Sequence, residues 1–247
     1  MFLPKISLFA PGAAHAAASF VNAGASAAAA SGNITLGAPA SPATDDIWIA
    51  TIHSRDQVAH TLTDWTQIVQ ANGGQTVSRL SVWYFRYAGS TPNLVVGHTA
   101  GDTIVGGIAA FRGLDTNASP VDTAGTIAAG TTGVAGVDLA IEHTTITPST
   151  SNTMLLAING FADNQARDTI PTGFAAAFDP AGNECYLSNL GGDGSVALHY
   201  KVHGSGATGE IVDTLVSSGG TELGWAAVLI ALEAVPDSTG GTRRRAQ

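Results

Sequence analysis

The stretches Ile47-Trp48-Ile49-Ala50-Thr51-Ile52 and Leu80-Ser81-Val82-Trp83-Tyr84-Phe85-Arg86-Tyr87 decide the fold. Both have the length of a strand, are rich in β-branched and aromatic residues, and alternate along their course. Four more stretches read the same way: Thr103 to Phe111, Thr153 to Ile158, Ser195 to Val202 and Trp225 to Leu232. Turn residues separate them at Asn72-Gly73-Gly74, Gly89-Ser90, Gly101-Asp102, Gly191-Gly192-Asp193-Gly194 and Gly219-Gly220. Short strands punctuated in this way predict an all-β antiparallel sandwich. The Ala-rich stretch from Ala13 to Ala30 has helical propensity. It lacks a charged face and is interrupted by Gly24 and followed by Gly32, so extended strand is expected there too.

The order of these segments repeats. Asn33-Ile34-Thr35-Leu36 leads through a Pro/Ser/Thr linker and Asp45-Asp46 into Ile47 to Ile52. Glu142-His143-Thr144-Thr145-Ile146 leads through Pro148-Ser149-Thr150-Ser151 into Met154 to Ile158. Polar loops follow, His53 to Asp56 and Asn159 to Asn164, then a long hairpin. Each half closes on a small-residue apolar strand, Gly106 to Phe111 and Trp225 to Ile230. The expected fold is a jelly-roll-like β-sandwich with an internal two-fold sequence repeat. Its parts are an extended N-terminal arm (1–19), a first half (20–123), a second half (124–236) and a flexible basic tail (237–247). Two such halves make either two lobes or the two parts of one sandwich.

Composition narrows the functional classes. Of 247 residues only 12% are charged, about half the usual share. A surface so weakly charged predicts assembly, and a homo-oligomer is expected. The net charge of −9 argues against a general nucleic-acid binder, and Arg243-Arg244-Arg245 reads as a solvated tail. Cys185 is the single cysteine, which excludes an internal disulfide and a thiolate metal cluster. No apolar run reaches the roughly eighteen residues that a membrane helix needs. Met1 to Ala16 mimics a leader, but Pro4 and Pro11 break its apolar stretch, and an ordered arm is expected.

Chemistry is sparse. His53-Ser54-Arg55-Asp56 holds triad residue types, yet neighbours on an extended segment point apart, so a turn with Asp56 capping or pairing Arg55 is expected. Asp45-Asp46 reads as a turn or cap. His199 and His203 share a strand face with Lys201 between them, a poor metal site because the ammonium repels the ion. Gly191 to Gly194 is a hairpin turn rather than a calcium loop, having one Asp and no acidic ladder. Trp65, Trp83, Tyr84, Phe85 and Tyr87 are expected in the core, with sugar stacking as the rival use. No catalytic, cofactor or metal residues are assigned.

The succession Ser31-Gly32-Asn33-Ile34-Thr35, Thr44-Asp45-Asp46-Ile47, His53-Ser54-Arg55-Asp56, Trp65-Thr66, Gly73-Gly74, Ser81-Val82-Trp83-Tyr84 and Gly106-Gly107-Ile108-Ala109-Ala110-Phe111-Arg112-Gly113 resembles a group of tailed-bacteriophage virion proteins. The resemblance covers roughly residues 20–125 well and the second half loosely. It implies a non-enzymatic structural protein of the virion: capsid decoration, head fibre or tail component. Its partners would be other virion proteins and copies of itself. The apolar residues Phe2, Leu3, Ile6, Leu8 and Phe9 of the arm are the expected attachment points. The alternative is a receptor- or carbohydrate-binding adhesin module of the tail, with a host-surface glycan as ligand.

Overall fold

The computed structural model describes residues 18–74, 78–99, 101–116, 118–131, 138–163, 167–179, 182–215 and 224–235. The arm residues Phe2 to Phe9, the turn at Gly219-Gly220 and the basic tail lie outside the described residues.

The named elements are strands throughout. The first set comprises β1 (Ser19–Ala23), β2 (Ala27–Ala29), β3 (Ile34–Thr35), β4 (Ile47–Ser54), β5 (Thr61–Leu62), β6 (Thr66–Asn72), β7 (Arg79–Arg86), β8 (Val95–Gly97) and β9 (Ile104–Arg112). The second comprises β10 (Val121–Ala124), β11 (Ala128–Thr131), β12 (Leu139–His143), β13 (Thr153–Phe161), β14 (Arg167–Thr169), β15 (Ala175–Ala176), β16 (Tyr186–Ser188), β17 (Gly194–His203), β18 (Ile211–Leu215) and β19 (Gly224–Leu232). All six stretches singled out in the sequence are strands, and the described part of the Ala-rich stretch supplies β1 and β2.

They pair antiparallel into two large and two small sheets. One large sheet runs β1-β9-β4-β7-β6, with β2 also on β9; the other runs β10-β19-β13-β17-β15, with β11 on β19 and β16 on β17. The small sheets run β3-β8-β5 and β12-β18-β14. Each set therefore places its last strand second in its large sheet, beside the central β4 or β13.

The large sheets face each other. Ile47, Ile49, Val82, Val105 and Phe111 from one, and Leu156, Ile158, Val196, Val228 and Ile230 from the other, form one continuous core. The opposite face of the first large sheet presents Trp48, Ala50, Ile52 and Ile108 to Ile34, Leu62 and Val96 of its small sheet. Leu155, Ala157 and Leu229 likewise meet Ile211 of the other small sheet, with Ile146 and Phe174 completing that layer. The molecule is a four-layer sandwich, small-large-large-small. Every residue of β4, β13 and β19 is consequently buried. That explains why these strands are apolar at both parities of the alternation rather than on one face. Each large side chain so buried stabilises the fold by about 1.5–3 kcal/mol.

Small residues let the large sheets approach. A Cβ on Gly107 would meet the Tyr186 ring at 2.1 Å, and one on Gly74 would meet the Gly130 carbonyl oxygen at 1.8 Å. The small-residue strands identified in the sequence are thus used inside the chain. Among the described residues, only Val95, Leu190 and Val202 are large hydrophobic side chains left exposed.

Candidate functional site

The segment His53 to Asp56 divides between layers, as strand alternation requires. His53 points into the central core, where its Nε2 lies 2.9 Å from Ser78 Oγ. Ser54, the next residue, points to the other face, toward the small sheet. There Ser54 Oγ lies 2.9 Å from His60 Nε2 and donates to Asp56 Oδ1 at 3.0 Å. The other ring nitrogen of His60, Nδ1, is 2.7 Å from Ser81 Oγ on β7. Asp56 also receives His98 Nε2 at 3.1 Å and the backbone amides of Val58 and Asp102 at 2.9 and 2.8 Å.

The result is a chain of polar groups, Ser81–His60–Ser54–Asp56–His98. Asp56 does cap its loop, as the sequence suggested. It does not pair with Arg55, whose guanidinium turns instead to the carbonyl of Gly192 and to Asp102 at 4.0 Å.

Electrostatics follow from burial. Desolvation of the His60 ring, reinforced by His98, His53 and Arg79 nearby, holds its pKa down to about 3, against a smaller upward pull from Asp56. Burial alone would raise the Asp56 carboxyl. Its two amide hydrogen bonds and the His98 imidazole outweigh this and bring it below the ordinary carboxylate range.

Ser54 beside His60 has the contact of a nucleophile with its base. Yet the carboxylate touches the serine and not the imidazole, and Ser54 and His60 are both fully buried. The Ser54 Oγ therefore faces protein rather than solvent. The arrangement suits fastening: Ser54 and Ser81 belong to the large sheet, whereas His60 precedes β5 and His98 follows β8 of the small one.

No family model matches this chain, and no curated protein or solved structure is significantly similar to it.

A second polar group lies at the far ends of β4, β7 and β9. Asp46, fully buried, receives Arg112 Nε and Nη2 at 2.7 and 2.8 Å and the Ala43 amide at 2.8 Å. Asp45, with φ of 74°, receives Arg86 at 2.6 Å. The turn expected at Asp45-Asp46 is present, and its two arginine partners come from strands remote in sequence. Asp45, Arg112, Leu114, Thr116 and Val235 line a half-open groove of about 290 Å³ here. Both guanidinium groups are already matched by carboxylates, so the groove carries no free charge from them.

The other sequence candidates are structural in placement. Gly191 to Gly194 links β16 to β17, and its loop docks on the first half: Gly192 N donates to Thr103 Oγ1 at 2.8 Å. His199 is buried with Asp213 3.6 Å away, while Lys201 Nζ lies 4.4 Å from the centre of the Phe174 ring. Trp83, Phe85 and Tyr87 share the outer face of their sheet, as alternation predicts, and pack with Trp48 and Trp65. Trp48 stacks on Tyr87 at 5.2 Å. Among the described residues, no three His, Cys, Asp or Glu side chains converge as a metal-ligand set.

Sequence reading missed His60, His98 and Ser81. They lie on three separate segments and carry no spacing signal. Only their rarity as polar residues beside apolar strands marks them.

Proposed function

We propose that this chain is a non-enzymatic structural protein of a bacteriophage virion, a capsid decoration, head fibre or tail component, acting through contacts with copies of itself and other virion proteins. We read the matching strand orders of its two halves as the internal two-fold repeat of one jelly-roll-like β-sandwich. The large sheets hold six and seven strands, and each half has three further strands in its small sheet.

The observation that carries the structural reading is where the chemistry-bearing side chains are spent. His53, Ser54, His60, His98, Asp46 and Asp213 are all buried within or between layers, where they serve packing and fastening. Such a molecule works as a rigid block rather than through a cleft. With few apolar side chains exposed among the described residues, its contacts with neighbours rest on polar loops and on the arm at Phe2, Leu3, Ile6, Leu8 and Phe9.

The adhesin reading draws on one feature. Phe85 and Tyr87 stay partly exposed at the rim of the Trp48–Trp65 cluster, where a sugar ring could stack. Quantitative mass spectrometry of purified particles tests the structural reading. Regular stoichiometric copies support it; absence from particles overturns it. Saturable binding of the isolated protein on a glycan array would favour the adhesin.

A further inference from the structure

The polar chain in the first half links every strand of one small sheet to its large sheet. His60 ties β5 to Ser54 of β4 and to Ser81 of β7. His98 ties β8 to Asp56, and its amide donates to Asn33 Oδ1 at 2.8 Å, just before β3. The His60 amide donates to Gln70 Oε1 on β6 at 2.7 Å. Beside these links the layer holds the apolar cluster of Trp48, Ala50, Ile52, Ile34, Leu62 and Val96.

A neutral His60 satisfies the chain in one direction. Ser54 donates to Asp56, so it accepts from His60 Nε2–H, and Nδ1 then accepts from the Ser81 hydroxyl. A proton from solvent on Nδ1 reverses the Ser81 contact and places a positive charge in a closed layer. The groups that face it are unfavourable. The His98 ring centre is 5.6 Å away, Arg79 lies on β7, and His53 is on the reverse of the same sheet. Arg55 and Asp102 are in the adjoining loops, 4.0 Å apart, and occupy each other. Asp56 is the nearby carboxylate, and it is already committed to His98, two amides and Ser54. Gln70, which caps the His60 amide, is uncharged.

We infer that the Ser81–His60–Ser54–Asp56–His98 chain is an acid-released fastener, holding the small sheet β3-β8-β5 on the large sheet at neutral pH and freeing it when His60 takes up a proton. The sign follows from linkage. The folded state keeps His60 neutral, whereas the released state protonates it near its ordinary value of 6.5. Stability is therefore complete above about pH 6.5 and declines as pH falls toward 3. This one imidazole favours the open state about tenfold more for each pH unit below 6.5, and roughly a hundredfold at pH 4.5.

The experiment compares the full chain with His60→Gln, whose amide is polar, can meet Ser54 from the Nε2 position and cannot titrate. Denaturant unfolding is followed from pH 7 to 4.5. The wild type is expected to lose about a hundredfold in its folding equilibrium relative to the variant over that range. Parallel pH profiles overturn the proposal. Hydrogen exchange at pH 5, corrected for intrinsic rates, should open Ile34, Leu62 and Val96 before β4 and β9; simultaneous opening of all layers refutes local release. Should His60→Gln not fold, the His60 ring proton of the wild type decides by NMR. It should show no titration while the fold persists, and a midpoint near 6.5 in the intact fold overturns the idea.

Discussion

His53 on β4 lies directly against Gly160 on β13, so that a Cβ at Gly160 would fall 2.3 Å from the His53 ring and 2.7 Å from its Cβ. One residue from each large sheet thus sets the distance between them. Gly160→Ala forces the sheets apart or the imidazole out of place, and is expected to cost about 2 kcal/mol. Gly204→Ala, where a Cβ meets nothing within 4 Å, should change stability little. Urea denaturation of the two variants makes the comparison; equal stabilities would refute face-to-face packing at this point.

The β6–β7 turn provides a second seam contact. Gly74 N donates to the Trp225 carbonyl at 2.9 Å, and its α-carbon abuts the backbone at Gly130. Backbone cannot swing aside as a side chain can, so Gly74→Ala is expected to be the more damaging change, about 3 kcal/mol. A thermal midpoint no lower than that of Gly160→Ala would contradict this ranking.

Much of this architecture is legible in the sequence, and the limits are physical. Ile47 to Ile52 and Trp225 to Leu232 announce strands because their length and composition allow little else. The same runs conceal the four layers, since an apolar residue at every position fits a doubly buried strand as well as a short core segment. Strands β3 and β5 have two residues each, too few for any periodicity. At the candidate site, the opposed directions of His53 and Ser54 follow from alternation alone. Convergence of His60, Ser81 and His98 on Ser54 and Asp56 depends on long-range pairing, which local pattern does not encode.

Arg112 and Asp46 form a pair whose two ends differ: the carboxylate is fully buried, whereas the guanidinium is partly exposed. Arg112→Met leaves a buried charge without its cation and is expected to cost about 3 kcal/mol. Arg86→Met, which breaks a half-exposed pair with Asp45, should cost less than about 1 kcal/mol. Chemical denaturation at neutral pH distinguishes them, and equal losses would count against a buried role for Asp46.

Tyr186 gives an alkaline signature. Its hydroxyl donates to the Gly24 carbonyl across the halves, and burial pushes its pKa up to about 12. The unfolded phenol ionises near 10, so the stability linked to Tyr186 is complete below pH 10 and is lost as pH rises toward 12. Tyr186→Phe is expected to flatten that limb of the stability profile. Absorbance of phenolate at 295 nm, read against pH on the folded chain, should show a late step that Tyr186→Phe removes, distinct from the smaller upward shift that burial gives Tyr200; a titration curve unchanged by the substitution would contradict this.

The most direct test of the proposed virion role is a cryo-electron microscopy map of phage particles purified from the source of this chain. Four-layer β-sandwich density is expected at regular, symmetry-related positions on the head or tail, joined to neighbours through the N-terminal arm. A particle complete in every position with no density for this fold would contradict it.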